Sequence, residues 1–198
     1  MRVNVAVLIS GHGGNLQALM DAAGAEDYPA RIALVIANRA DAYGLTRAAQ
    51  AGIPTALLKH QDYTDRTHYD RALEAVLAKH DIAFICLAGF MRILSPWFTH
   101  RWEGRMINIH PSLLPAYKGL DTHRRAIEAG ETRHGCSVHW VTETLDDGPV
   151  IGQLALEIHP GETPEQLKER VHVLEHQLYP EALRIALAKY RERIAEGH

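Results

Sequence analysis

Residues 106–120, MINIHPSLLPAYKGL, carry two polar side chains out of an otherwise apolar run and then stop at a proline. Read as a strand over 106–109, the segment sends Asn108 and His110 to one face and Ile107 and Ile109 to the other, because side chains alternate along a strand. Pro111 cannot donate to a sheet ladder and keeps the preceding residue extended, so the strand ends with His110 at its carboxyl edge. Open α/β sheets bind ligands at that edge. An amide and an imidazole there can present donors to one developing oxyanion, as acyl transfer requires. The same pair could equally serve only to tie down the loop that follows.

Outward from this stretch, strands and helices alternate. Apolar runs over 3–9, 31–37, 53–58 and 82–87 read as strands, and helical spacing runs over 42–51 and 65–80, with Gly52 at a C-cap and Asp65 at an N-cap. IAFICL, 82–87, is almost wholly apolar and predicts a central strand. The pattern implies the α/β class: a single-domain, open, mostly parallel sheet with right-handed crossovers and helices on both faces. Beyond 106–120 come a short helix over 121–130, strands over 136–142 and 150–158, and a helix opened by Thr163-Pro164-Glu165-Gln166, a capping box with proline at the first helical position. Leu167, Val171, Leu174 and Leu178 form its buried stripe. Pro180 is expected to break or kink it, leaving a second segment through Leu183, Ile185 and Leu187 and a charged tail that frays.

At 198 residues the chain can bury one sizeable core. Its formal charge of −3 gives no general support for a nucleic-acid partner. The first apolar run is too short for a membrane span and lacks a signal-peptide pattern. Cys86 and Cys136 lack CxxC spacing and sit in apolar runs, as buried thiols of a reducing compartment do. A cytoplasmic protein is the expectation.

Three further stretches can carry chemistry. Ser10-Gly11-His12-Gly13-Gly14-Asn15 joins a strand to a helix N-terminus, where free amides and the helix dipole favour an anion. Its spacing is neither GxGxxG nor a P-loop, which leaves a single phosphate or a plain tight turn. Residues 88–96, AGFMRILSP, form an apolar loop after a strand: a wall for a flat organic ligand, or a connector. Residues 142–149, TETLDDGP, form an acidic turn that matters only if the fold brings it to His110, since a carboxylate beside an imidazole orients the ring and favours its protonated form. A fourth motif competes. His172 to His176, HVLEH, matches HxxEH, in which two histidines one helical turn apart bind zinc; a solvated helix face is its other reading, and few residues follow to supply a further ligand.

Together VLISGHGGNLQAL, ANRADAYGL, LAGFMRILSP, INIHPSLLPAYKGL, TLDDGPVI and EHQLYP resemble the folate-dependent glycinamide ribonucleotide formyltransferases, over nearly the whole chain. The resemblance implies a formyltransferase fold with a Rossmann-like N-terminal half, one domain over 1–198 with a phosphate-binding half at 1–100 and a catalytic, folate-binding half at 101–198. It implies formyl transfer from 10-formyltetrahydrofolate to the amine of phosphoribosylglycinamide in purine synthesis, with Asn108, His110 and Asp146 as the catalytic trio. Gly13, Gly14, Asn15 and Glu175 would bind the ribonucleotide. Arg66, Phe90, Met91, Arg92, Ile93, Leu94, Asn108, Thr142, Glu143, Thr144, Leu145 and Asp146 would bind the folate. The implied partners are small molecules, with no metal, nucleic acid or membrane, in a monomer or homodimer. Gly14 stands where some members have serine, Asp147 where glycine is frequent, and Asp121 where histidine is common. An initiator-tRNA formyltransferase would be expected to add a C-terminal domain and a basic surface, and a formyl-folate hydrolase an N-terminal domain. A sugar-nucleotide formyltransferase is opposed mainly by the phosphate loop, and a non-catalytic folate or nucleotide carrier by the retained trio.

Overall fold

The computed structural model describes residues 2–197. Its first half alternates as the apolar runs require: β1 (Val3–Ile9), α1 (Gly14–Ala23), β2 (Ala30–Ala37), α2 (Gly44–Gln50), β3 (Thr55–Leu57), α3 (Arg66–Lys79), β4 (Phe84–Leu87) and α4 (Pro96–Arg101). The second half comprises β5 (Met106–His110), α5 (Thr122–Glu128), β6 (Arg133–Trp140), β7 (Val150–Glu157) and α6 (Pro164–Ala195). The strands form one sheet in the order β3-β2-β1-β4-β5-β6-β7, parallel from β3 to β5 and antiparallel from β5 to β7. The apolar β4 is its middle strand, as expected of a strand buried on both faces.

Alternation along the strands feeds two cores. Val5, Val7, Ile9, Phe84, Cys86, Ile107 and Ile109 pack with α1 and α6 on one face. Ala6, Leu8, Ile85, Leu87 and Met106 pack with Leu73 and Leu77 of α3 and Phe98 of α4 on the other. Both cysteines are free and buried.

The chain walks from β1 through β2 to β3 in one direction and from β4 to β5 in the other. The order reverses between β1 and β4, and a crevice opens beyond the strand ends at such a switch point. The loops after β1, β4 and β5 all leave from that edge.

The capping box of α6 is formed: Thr163 Oγ1 accepts from the Gln166 amide at 3.2 Å and the Gln166 side chain accepts from the Thr163 amide at 2.9 Å. The expected interruption at Pro180 does not occur. Helix α6 runs unbroken through it to Ala195. Proline removes one backbone donor, but Leu167, Val171 and Leu178 before it and Leu183, Ala186 and Leu187 after it are anchored in the same core. The Pro180 carbonyl accepts from Tyr28 Oη at 2.7 Å. Tyr179, fully buried, donates to the Leu87 carbonyl at 2.7 Å and so fastens α6 to the end of β4. The third strand and second helix are shorter than the apolar runs suggested.

Candidate active site

Asn108 lies opposite His139 of β6, and His110 opposite Ser137. Cross-strand partners share a face, so the two polar positions of β5 meet two polar positions of β6. Asn108 Nδ2 stands 3.2 Å from His139 Nε2, and His139 Nδ1 stands 2.9 Å from the Trp140 carbonyl. His139 Nε2 thus faces both the Asn108 amide and Asp146: with the hydrogen on Nδ1 alone it accepts from Asn108 and leaves that amide's second N–H for another acceptor, and with both ring nitrogens protonated it donates to Asp146 instead.

The loop after β6 brings Asp146 into the same group. Its Oδ2 is 3.5 Å from His110 Nδ1 and its Oδ1 is 3.6 Å from His139 Nε2. The backbone of Asp146 adopts φ 50°, a conformation that aspartate tolerates better than most residues, and the Gly119 amide donates to Oδ2 at 3.0 Å. Burial works to raise the Asp146 carboxyl, yet the His139 contact, the Gly119 amide and the nearby imidazoles outweigh it and hold it below its ordinary value. Asp146 therefore stays ionised at neutral pH. His110 is 5% exposed, and its Nε2 lies 2.9 Å from the Tyr117 carbonyl, so both ring nitrogens face acceptors.

The 111–119 loop is held from below. Ser137 Oγ donates to the Ser112 carbonyl at 2.6 Å and accepts from the Leu114 amide at 3.0 Å and from Gln153 Nε2 at 2.8 Å. Asp147, expected to add charge beside Asp146, instead pairs with Lys118 Nζ. Asp121, at φ 56°, pairs with Arg124 at 2.6 Å.

After β4, Phe90 to Leu94 line the same edge. Met91 and Ile93 are 65% and 53% exposed, large apolar side chains with no core to join. Leu145, in the run Thr142, Glu143, Thr144, Leu145, is 54% exposed while its neighbour Asp146 is buried. Such a cluster of exposed apolar groups beside buried polar ones suits a flat, partly apolar ligand. The Met91 amide donates to Ser10 Oγ at 2.8 Å, which ties this loop to the loop after β1. Asp70 receives the Ser95 amide at 2.6 Å; burial pushes its carboxyl up. The Arg92 guanidinium stacks 4.2 Å over the Tyr69 ring, and Arg66, exposed, opens α3 on the same side as Asp70.

At β1 the site is mostly main chain. Gly13 caps α1 at φ 81°, and a β-carbon there would lie 2.8 Å from the Gly44 Cα, so both the dihedral and the close approach require glycine. The first turn of α1, Gly14-Asn15-Leu16-Gln17, contains no acid and leaves its amides for an anion. Asn15 Nδ2 donates to Glu175 Oε2 at 3.0 Å, and the same oxygen lies 2.7 Å from His172 Nδ1. Glu175 thus reaches the loop from α6. Among the described residues no group of three or more His, Cys, Asp or Glu is arranged to hold a metal ion; the HVLEH glutamate faces Asn15 and a histidine instead.

Two contributors escaped the sequence reading. His139 was legible only as the polar position of an alternating strand, because its relevance depends on the β5–β6 register. Arg47 of α2 has Nε donating to the His12 carbonyl at 3.0 Å and Nη2 lying 2.8 Å from His12 Nε2, and nothing in its local sequence signals that.

A family profile described as Formyl transferase matches residues 3–183. A phosphoribosylglycinamide formyltransferase of Escherichia coli is 47% identical over 178 residues, 90% of this chain and 84% of that protein. A trifunctional purine biosynthetic protein adenosine-3 of Drosophila pseudoobscura is 50% identical over 197 residues; the chain spans 14% of that protein's length, and 18% of its human counterpart's. Among solved structures, a phosphoribosylglycinamide formyltransferase from Coxiella burnetii, in complex with CHES, superposes with a TM-score of 0.88 at 53% identity, covering 93% of this chain and 86% of that one. A glycinamide ribonucleotide transformylase from Symbiobacterium toebii gives 0.91 at 43% identity.

Proposed function

The chain belongs to the formyl transferase family, and from that premise we propose that it transfers the formyl group of 10-formyltetrahydrofolate to the amine of phosphoribosylglycinamide, giving the formylglycinamide ribonucleotide and tetrahydrofolate. The observation that carries this reading is the meeting of Asn108, His110 and Asp146 at the carboxyl edge of β5, between exposed apolar loops on one side and the amide-lined loop after β1 on the other.

The neutral amine attacks the formyl carbon, forming a carbon–nitrogen bond and a tetrahedral centre with an oxyanion. Asn108 donates its free amide N–H to that oxygen; His139 accepts the other and fixes the amide's orientation. A prepared donor needs no reorganisation as charge develops. Asp146, ionised, orients His110 through Nδ1. His110 Nε2 lies 2.9 Å from the Tyr117 carbonyl, a place that a substrate oxygen or a bridging water would take. The proton lost by the attacking amine reaches the departing folate nitrogen by way of His110 or that water, the carbon–nitrogen bond to the folate breaks, and the formamide remains.

The loops at 90–94 and 142–146, with Arg66 and Arg92, hold the folate; Gly13, Gly14, Asn15 and Glu175 hold the ribonucleotide. The chain is read as one domain, with the phosphate end in 1–100 and the chemistry in 101–198. No helix among the described residues is long and apolar enough to cross a membrane; we read the chain as cytoplasmic, with which its buried free thiols agree, and as a monomer or homodimer.

The test is the absorbance change as purified chain converts the formyl folate, with and without glycinamide ribonucleotide. Conversion that requires the ribonucleotide supports the reading. Loss of the formyl group without it would make the chain a hydrolase, and binding of both ligands without turnover would make it a carrier.

A further inference from the structure

Three polar side chains stand in one row across the antiparallel half of the sheet. His110 of β5 lies opposite Ser137 of β6, and Ser137 lies opposite Gln153 of β7. Cross-strand partners share a face, so the row lies on the face over which the 111–119 loop runs. Ser137, fully buried, is its hub. The hydroxyl donates to the Ser112 carbonyl at 2.6 Å and accepts from the Leu114 amide at 3.0 Å and from Gln153 Nε2 at 2.8 Å. One proton and two lone pairs are all a hydroxyl has, and all are used. Gln153 Nε2 donates also to the Leu114 carbonyl at 2.9 Å, which occupies both of its N–H groups. Two residues before Ser137, a β-carbon on Gly135 would lie 2.9 Å from Leu113 Cδ2, so glycine there lets the loop settle on the strand.

The loop coils on these anchors. Ser112 Oγ donates to the Ala116 carbonyl at 2.6 Å, the Ala116 amide to the Leu113 carbonyl at 3.1 Å, and Thr122 Oγ1 to the Pro111 carbonyl at 2.6 Å. Beyond the coil the main chain meets the reacting groups. The Tyr117 carbonyl lies 2.9 Å from His110 Nε2, and the Gly119 amide donates to Asp146 Oδ2 at 3.0 Å. The loop's far end is held by an exposed side chain, Arg125, whose Nη1 donates to the Lys118 and Leu120 carbonyls at 2.7 and 3.1 Å.

We propose that Ser137 and Gln153 are positioning residues for formyl transfer: by fixing Ser112 and Leu114 they set where the Tyr117 carbonyl and the Gly119 amide meet His110 and Asp146. Gln153 acts from the edge strand, two strand spacings or about 10 Å from β5. The proposal rests on the functional reading above and adds to it the residues that hold its catalytic pair in place.

The consequence follows from what the loop contributes. Burial raises the Asp146 carboxyl, and the His139 contact and the Gly119 amide lead the groups that bring it below its ordinary value. An N–H donated to a carboxylate favours the ionised form, so withdrawing the Gly119 amide raises that carboxyl. The titratable groups facing Asp146 are His110 from β5 and His139 from β6, with Lys118 and Asp147 paired on the adjoining loops. His123 of α5 and His134 of β6 are within electrostatic reach of His110. Both catalytic contacts made by the loop come from its main chain, so they depend on where the coil is seated.

Gln153→Leu keeps much of the side chain's size at an exposed position of the edge strand and removes both donors. Ser137→Ala removes the hub. For Gln153→Leu kcat is expected to fall about tenfold, and for Ser137→Ala about tenfold to a hundredfold, with both KM values within about twofold of wild type. The acid limb of the kcat profile is expected to move up by about half a pH unit in Gln153→Leu, because Asp146 must be ionised and has lost a donor to its charged form. A merely structural anchor would lower the unfolding temperature and leave that limb in place. An unmoved limb, or an unchanged kcat in Gln153→Leu, would overturn the proposal. If the wild-type chain formylates nothing, the functional reading fails instead, and nitrogen-15 NMR reads the row without turnover. The Gly119 amide resonance is expected to follow the titration of Asp146 in the wild-type chain and to lose most of that shift in Gln153→Leu; equal titration shifts in the two chains would overturn the positioning role.

Discussion

The two ends of the crevice are built from different materials. After β1, the glycine loop and the first turn of α1 present main-chain amides, and the side chains that join them, Arg47, His172 and Glu175, come from helices behind. After β5, four side chains from two strands and a loop, Asn108, His110, His139 and Asp146, converge within 3.2 to 3.6 Å. Main-chain amides depend on conformation and tolerate changes in neighbouring side chains, so glycine in place of serine at position 14 leaves the amides of the proposed anion site available. The side-chain cluster has less slack, since removing one member leaves a buried neighbour one partner short.

The contrast predicts its largest effects at β5. Asn108→Ala and His110→Ala are each expected to lower kcat about a hundred to a thousandfold, roughly 3 to 4 kcal/mol, with the unfolding temperature within about 4 °C of wild type. Steady-state kinetics with calorimetry checks both. Asp146→Asn is expected to cost about tenfold to a hundredfold and to change the pH response. The Asp146 carboxyl is depressed in the folded chain, so its stabilising contribution is complete above the unfolded value, near about pH 4, and is lost as pH falls through the folded value. Unfolding temperature measured against pH should therefore fall less steeply on the acid side in the asparagine variant; identical acid limbs would remove Asp146 from this role.

Smaller effects sharpen the contrast. His139→Ala is expected to lower kcat about tenfold, with KM changing little, because it releases the Asn108 amide without removing it. At the main-chain end, Gly13→Ala should destabilise the fold by about 1 to 2 kcal/mol, since it adds both a left-handed penalty and a clash with Gly44, and should raise KM for the ribonucleotide more than it lowers kcat. Equal losses in kcat and KM there would mean that the loop serves the chemistry as well as binding. Asp147→Gly, which frees Lys118 at a half-exposed pair, is expected to change kcat by no more than about threefold.

What could be read from the sequence follows the same division. The strand ending at His110, the glycine turn before α1 and the capping box of α6 are local events, governed by a proline, a dihedral and two side chains three residues apart. They appear in the structure where their residues imply. The placement of Asp146 against His110 was conditional on the fold, because nothing within the 142–149 turn fixes its distance from β5. His139 became visible only once β5 and β6 were in register, and Arg47 only once α2 packed on the loop at His12. Pro180 erred in the opposite direction: a strong local breaker was overridden by buried leucines on both sides of it.

The central claim, that the acceptor of the formyl group is the ribonucleotide amine, is tested most directly by the fate of the carbon. Purified chain would be given 10-formyltetrahydrofolate labelled with carbon-13 in the formyl group, together with glycinamide ribonucleotide, and the products read by mass spectrometry and carbon NMR. The label is predicted to appear as a formamide on the ribonucleotide, in one-to-one proportion with tetrahydrofolate formed. Label recovered as free formate, with the ribonucleotide unchanged, would contradict it.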